Sequence, residues 1–240
     1  MDKEKLTKYL KNNEIISSCL AENENILRSE GYSPPCLNFA VDRGKRINIP
    51  AGYIRTSKEF QKIYHLNDLV ESPNISKNIS YALQLSDFYN FVLNRFYIWG
   101  SIEIMVCKQA FINVVSIIEA LILESSNCIN GFCRKSQCQN ISKCKNIICK
   151  KDRNNMKLAV ERLFELGILD VNEVEKNRLK ELYDLRNKIH IRLKKENEFL
   201  DQEYIITLCN EALEILQKVD NCLWKNAVPQ YKKCIGYKSK

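Results

Sequence analysis

The sequence predicts a mostly α-helical fold, in which a four-helix bundle carries a cysteine-rich insert and an N-terminal helical extension containing a short β segment. Glycine and proline are scarce, with 7 and 5 residues among 240, which disfavours a turn-rich all-β fold. Apolar residues recur at helical spacing over most of the chain. The shares of apolar (45%) and charged (28%) residues are those of an ordinary globular protein that can bury a sizeable core.

The first 76 residues are expected to form an accessory region. Apolar residues at helical spacing predict a first helix over residues 3 to 28. Alternating isoleucines before a break at Pro50 indicate a short extended segment over residues 46 to 55. A brief helix is expected near residues 57 to 64. No motif in this region indicates a function.

Residues 77 to 229 are predicted to form the bundle, and residues 230 to 240 a basic tail. Helical spacing predicts helices over residues 79 to 99, 101 to 125 and 154 to 166. The second of these is apolar almost all round, so we expect it to be the central and most buried helix. Two further helices follow the one over residues 154 to 166. Two antiparallel helix pairs are typical of a four-helix bundle.

Local signals predict where the last helices begin and end. Gly167 is typical of the residue that follows a helix C-terminus. Asp170, followed three residues later by Glu173, predicts a capping box at the start of the next helix. Asp201 is expected to cap the last long helix.

The formal net charge of +8 indicates a polyanionic partner, RNA or DNA before an anionic membrane. A lysine-rich composition that keeps the protein soluble is an equally good interpretation. The N-terminal residues contain no apolar run typical of a signal peptide. The most apolar stretch, residues 110 to 123, is short of a membrane span and contains polar residues. We therefore expect a cytoplasmic protein without a membrane segment.

Polar residues interrupt the apolar central helix at every third position, at Asn113, Ser116 and Glu119. This spacing places the three along one stripe of the helix. A solvent-facing edge is the slightly favoured interpretation, and a polar lining that supports a site is the alternative.

One cluster resembles a site. Arg186 precedes His190 by one helical turn, so the two side chains lie about 40° apart on one helix face, with Asn187 at its edge. A histidine can take the proton of a ribose 2′-hydroxyl or give one to the leaving 5′-oxygen. An arginine can hold the scissile phosphate. Metal-independent RNA cleavage would suit this cluster, although spacing alone favours an ordinary surface pair. The other histidine, His65, is expected at the surface of a loop without a partner.

The string Leu185-Arg186-Asn187-Lys188-Ile189-His190-Ile191 resembles the signature of the HEPN superfamily. The stretch from Ala110 to Leu121 is similar to the central helix of such domains. The resemblance covers roughly residues 77 to 225. It implies a helical bundle that forms a homodimer, with the motifs of two copies in one composite cleft. It also implies an endoribonuclease of toxin–antitoxin or phage-defence systems, with a partner protein such as an antitoxin.

Carried over residue by residue, the resemblance implies that Arg186 contacts phosphate, Asn187 supports it and His190 is the acid or base. The family pattern places at least four residues between the arginine and the histidine, whereas three intervene here. Other family members bind RNA or nucleotides without cleavage. A non-catalytic module that binds RNA or DNA, or regulates another protein, is therefore the alternative.

Cysteines recur every five or six residues in the insert, residues 128 to 151. Four thiolates can hold a structural zinc ion; free thiols and then disulfides are the alternatives. Cys128 is a fifth candidate ligand, and the expected set is Cys133, Cys138, Cys144 and Cys149.

The insert is also strongly basic, so it is suited to binding a phosphate backbone. The residues expected to contact RNA are Arg134, Lys143, Lys145 and Lys150. Three cysteines outside the insert lie at helical core positions and are expected to behave as plain hydrophobes: Cys107, Cys209 and Cys222.

Overall fold

The chain is almost entirely helical in the part that the structure, a computed structural model, describes: residues 2–29, 52–70, 72–135, 154–188 and 202–227. No strand occurs within these ranges, so the mostly α fold class is confirmed. The chain divides into two compact units, Met1–Ile49 and Pro50–Lys240.

In the first unit, helix α1 spans Lys3–Ser29, which agrees with the predicted first helix to one residue. The predicted extended segment over residues 46 to 55 lies outside the described residues as far as residue 51. Residues 52–55 form a turn and a bend, not a strand.

The second unit begins with two short helices, α2 (Ser57–Ile63) and α3 (Leu66–Leu69). The hydroxyl of Thr56 and the carboxylate of Glu59 form a reciprocal capping box at the start of α2, which leaves fewer orphan backbone donors there. Three side chains of these helices are exposed by 1% or less: Phe60, Leu66 and Leu69.

These buried side chains belong to the core of the second unit. The compact unit that contains the remaining helices begins at Pro50, before the expected boundary after residue 76. An ion pair joins this region to the next long helix, Pro73–Arg95, with Nη2 of Arg55 lying 2.6 Å from Oδ1 of Asp87.

The remaining helices pack around one long central helix. They are α4 (Pro73–Arg95), α5 (Ser101–Lys135), α6 (Met156–Glu165), α7 (Glu173–Lys188) and α8 (Gln202–Cys222), followed by a π-helical segment over Leu223–Ala227. Helix α5 contacts α4, α6, α7 and α8, and its Phe111, Ile118 and Leu121 are completely buried. The prediction that this helix is central is confirmed. It also continues beyond residue 125, so residues 128–135 of the predicted insert are helical.

The C-terminus of α6 follows the prediction. Gly167 has a φ of +67°, the left-handed conformation that favours glycine after a helix. The N–H groups of Gly167 and Ile168 donate to carbonyls of the last helical turn at 2.9 Å each.

The predicted cap of α7 is wrong by two residues. The side chain of Asn172 accepts from the backbone N–H of Glu175 at 2.9 Å, and the Glu175 carboxylate accepts from the N–H of Asn172 at 3.0 Å. This pair forms the capping box that was predicted for Asp170 and Glu173. Asp201, the predicted cap of α8, lies outside the described residues.

One segment of α5, Ser101–Cys128, is long and apolar enough to cross a membrane by length and composition. Half of its most apolar window is buried inside the protein. The buried core helix of a soluble protein meets the same criteria of length and composition.

Candidate functional site

The last turn of α7 brings Arg186 and Asn187 against the middle of α5. Helix α7 is anchored there by Leu179 and Leu182, which are 4% and 0% exposed. Since Arg186 follows Leu182 by one helical turn, its side chain leaves the helix on the same side. It meets Glu119 of the central helix there.

Three neighbours fix the guanidinium of Arg186. Its Nη2 group forms a hydrogen-bonded ion pair with Oε2 of Glu119. Its Nη1 group donates to Oδ1 of Asn187 at 2.9 Å. Its Cζ atom lies 5.3 Å from the ring centroid of Tyr183, within the range of a cation–π interaction. The guanidinium is therefore held in one orientation by two helices.

The Arg186–Glu119 pair is shielded but accessible, since the two side chains are 22% and 20% exposed. The Nε atom of Arg186 is buried and has no hydrogen-bond partner among the described residues. A guanidinium carries five N–H donors in a fixed fork. Donors are therefore left over for an anion, while Glu119 balances the charge of the arginine.

The third member of the predicted cluster, His190, lies outside the described residues, which end at Lys188 in this part of the chain. The structure thus brings together Arg186 and Asn187 from the predicted catalytic set and Glu119 from the predicted polar stripe. Glu119 is separated from Arg186 by 67 positions along the chain.

The polar stripe on α5 does not act as one row, because its three members serve different neighbours. The amide of Asn113 donates to the carbonyl of Ala82 at 2.7 Å and to the hydroxyl of Ser86 at 2.8 Å, both on α4. The hydroxyl of Ser116 donates to the carbonyl of Ile112 in its own helix at 2.7 Å. All three are half-buried, and only Glu119 reaches the cluster.

The cysteines at core positions behave as hydrophobes. Cys107 and Cys222 are 1% and 8% exposed. The thiol of Cys209 donates to the carbonyl of Cys107 at 3.1 Å, and burial raises the pKa of Cys209 to about 12. A thiol with so high a pKa is an unreactive one.

Cys128 also belongs to the core. It is 8% exposed, and its sulfur lies 3.8 Å from the carbonyl oxygen of Leu69. Of the other candidate ligands, Cys133 lies on α5, but its side chain is not described. Cys138, Cys144 and Cys149 lie outside the described residues. Within the described part of the chain, no three potential metal ligands cluster.

The structure does not test the basic residues that are expected to contact RNA. Lys143, Lys145 and Lys150 lie outside the described residues, and the side chain of Arg134 is not described.

A second cluster, at the end of α8, was not predicted. The ring of His65 stacks on Trp224 with centroids 3.9 Å apart, so the expectation of an unpartnered surface histidine is wrong. Asp220 is only 7% exposed, and its Oδ1 atom has no hydrogen-bond partner in the described part of the protein. Burial raises the pKa of Asp220 to about 7. No local pattern signals this cluster, because its members are far apart in sequence.

Comparison of the chain with known protein families, with curated proteins and with solved structures gives no match.

Proposed function

We propose that this protein is a HEPN-type, metal-independent endoribonuclease that acts in the cytoplasm as part of a toxin–antitoxin or phage-defence system. Two copies would form one composite site, with RNA as the substrate and an antitoxin or another defence protein as the partner. The observation that carries the proposal is the oriented guanidinium of Arg186, held between Glu119 and Asn187.

An oriented guanidinium is suited to phosphoryl transfer. Charge on the equatorial oxygens of the phosphate grows as the 2′-oxygen attacks, and pre-organised donors stabilise it without reorganising. The N–H groups of Nη1 and Nη2 that Asn187 and Glu119 leave unused are such donors. Glu119 and Asn187 hold the fork in place, so they are positioning residues.

The proposal assigns proton transfer to His190. In a composite site, one copy's imidazole takes the proton from the 2′-hydroxyl, and the imidazole of the second copy gives a proton to the leaving 5′-oxygen. The P–O5′ bond breaks as the P–O2′ bond forms. The products are therefore a 2′,3′-cyclic phosphate and a 5′-hydroxyl.

The test is RNA cleavage by the purified full chain in the presence of excess chelator. Cleavage is expected with cyclic-phosphate ends, and His190→Gln is expected to abolish it. The matched control is His65→Gln, since His65 is the other histidine and stacks on Trp224. Cleavage that survives His190→Gln unchanged would refute the assignment.

Arg186 is tested by Arg186→Lys, which keeps the charge and the ion pair but removes the fork. The control is Arg178→Lys on the same helix, where Nε and Nη2 of Arg178 donate to Glu211 at 2.6 Å and 2.8 Å. We expect cleavage to fall by about 100-fold or more for Arg186→Lys, as for the loss of one oxyanion donor. Equal activities of the two variants would count against a role for Arg186 in the site.

A non-catalytic RNA- or DNA-binding module is the second candidate. Glu119 already neutralises the guanidinium of Arg186, which leaves less charge to stabilise the transition state of cleavage, and the basic insert would then bind the polyanion. RNA binding without turnover, in wild type and His190→Gln alike, would support this candidate over the nuclease.

We also propose a structural zinc ion in the cysteine-rich insert. The burial of Cys128 in the core leaves Cys133, Cys138, Cys144 and Cys149 as the donor set, and four thiolates suit zinc. Elemental analysis is expected to find one zinc ion per chain, which Cys144→Ser removes and Cys19→Ser does not. A metal-free wild type purified without chelators would refute this proposal.

A further inference from the structure

Tyr183 lies beside the guanidinium of Arg186. It is the one aromatic residue of α7, and it precedes Arg186 by three positions, so the two side chains are neighbours on the helix surface. The Cζ atom of Arg186 lies over the ring of Tyr183, 5.3 Å from its centroid. The aromatic ring and the cationic group therefore adjoin each other near the end of α7.

The ring of Tyr183 is held in place and yet is not fully buried. It packs against the hydrophobic core, while the residue as a whole is half-buried. Arg186 is itself held by Glu119 and Asn187, so the group over the ring does not have to be ordered when a ligand binds. A nucleobase stacks on a flat aromatic surface of this kind.

The acidic residue that follows Tyr183 in the chain is compensated. Oδ1 of Asp184 lies 2.7 Å from Nζ of Lys157 on α6. A carboxylate that is paired with a cation repels a phosphate less than a free one does. Asp184 therefore does not keep a nucleotide away from the ring.

A phosphate bound by Arg186 brings a base within reach of Tyr183. The donors for the phosphate are the N–H groups of Nη1 and Nη2 that Asn187 and Glu119 leave unused. Since a phosphate and its base are separated by a single ribose, a nucleotide held through its phosphate can place the base on the ring. A purine has the larger π surface, so it stacks on an aromatic side chain more strongly than a pyrimidine does.

We propose that Tyr183 is the stacking platform for the base next to the phosphate that Arg186 holds, and that it gives the site a preference for a purine at this position. This role rests on the proposed nuclease, because the substrate is held by the same arginine. Tyr183 selects the RNA and takes no part in the proton transfers.

Two RNAs that differ by one base test the stacking. Both are single-stranded oligouridylates of the same length, with either an adenosine or an abasic ribose at one internal position, and cleavage at that position is followed in excess chelator. We expect kcat/KM of the wild type to be about tenfold or more higher for the adenosine RNA, as for the gain of one base–aromatic stack. Tyr183→Leu is expected to lower cleavage of the adenosine RNA to the level of the abasic RNA, and to leave cleavage of the abasic RNA unchanged.

Two further variants separate stacking from packing. Tyr183→Phe keeps the ring and is expected to keep the preference for adenosine. Tyr81→Leu is the matched control, since Tyr81 lies on α4 and is 55% exposed, and it should behave as wild type. A purely structural role of Tyr183 would lower the cleavage of both RNAs to the same extent. An equal ratio of the two kcat/KM values in wild type and Tyr183→Leu would therefore overturn the stacking role.

Fluorescence reports the stack in the absence of cleavage. The His190→Gln variant is expected to bind the RNA without cutting it, and 2-aminopurine in place of the adenosine should then lose fluorescence on binding. Adding Tyr183→Leu to this variant is expected to abolish the quenching. Bound RNA whose 2-aminopurine stays bright would overturn the stacking role and leave the nuclease standing. RNA that the wild type neither binds nor cuts would refute the nuclease and the stacking role together.

Discussion

Two arginines of α7 have similar surroundings. Arg178 is held by Glu211 and Glu181, and Arg186 is held by Glu119 and Asn187. The carboxylates raise the pKa of Arg178 well above its ordinary value. The Nε atom of Arg178 donates to Glu211 at 2.6 Å, whereas that of Arg186 has no partner among the described residues. The two arginines therefore differ in whether their Nε donor is paired.

This comparison predicts different effects for two similar substitutions. Glu119→Gln and Glu211→Gln each weaken a charged hydrogen bond, so each is expected to lower the unfolding free energy by about 1–2 kcal/mol. Only Glu119→Gln should change RNA affinity, and it should raise it severalfold, because Arg186 regains a net charge. Denaturant titration and filter binding measure the two effects. Equal RNA affinity in both variants would separate Arg186 from the RNA site.

Asp220 carries a second prediction at the residue scale. Its pKa is raised to about 7 by burial, against an ordinary value near 4 in the unfolded chain. Between those values the folded protein holds a proton that the unfolded chain has lost. The unfolding free energy therefore falls as pH rises through this window, by up to about 1.4 kcal/mol per pH unit.

Asp220→Asn removes this titration, so its stability advantage over wild type is expected to grow from pH 4 to pH 7 and then level off. Denaturant midpoints measured at several pH values give the profile. The exposed Asp68→Asn serves as the control and should follow wild type. A constant difference between Asp220→Asn and wild type would show that Asp220 stays ionised in the folded protein.

At the scale of the element, the helices follow from local sequence and their ends do not. Helical periodicity predicts α1, α2 and the central α5, because an apolar stripe is a property of neighbouring residues. The start of α7 has two candidate capping boxes, since Asp170 and Asn172 are each followed by glutamate at the third position. The residues before the helix decide between them. Ile168 and Leu169 are 0% and 2% exposed. Because these two residues are buried in the core, the helix begins only at Glu173.

The two candidate caps can be separated by mutation. Asn172→Ala removes the acceptor for the N–H of Glu175 and is expected to cost about 1 kcal/mol of unfolding free energy. Asp170→Ala is expected to change it by less than about 0.5 kcal/mol, as an exposed surface substitution does. Urea denaturation of both variants checks this. A larger loss of unfolding free energy for Asp170→Ala would indicate that Asp170 and Glu173 form the capping box, as predicted from the sequence.

At the scale of the whole molecule, contacts between distant segments are what the sequence could not supply. Arg186 and Glu119 were both singled out, but their ion pair depends on how α7 packs on α5. The stacking of His65 on Trp224 joins residues 159 positions apart, and neither residue belongs to a recognisable pattern. Composition, in contrast, is a property of the entire chain, and the net charge of +8 leads directly to a testable salt dependence.

If the insert contacts RNA as proposed, the lysines of the insert contribute more to RNA binding than lysines elsewhere on the protein. Replacing Lys143, Lys145 and Lys150 by glutamine removes three charges and leaves +5 of the original +8. For single-stranded RNA, the slope of log affinity against log salt should become shallower by about 2, at about 0.7 per lost phosphate contact. The charge-matched control replaces the exposed lysines Lys58, Lys62 and Lys77, and its slope should stay near that of wild type. Equal slopes for the two triple variants would mean that RNA responds to the overall charge and not to the insert.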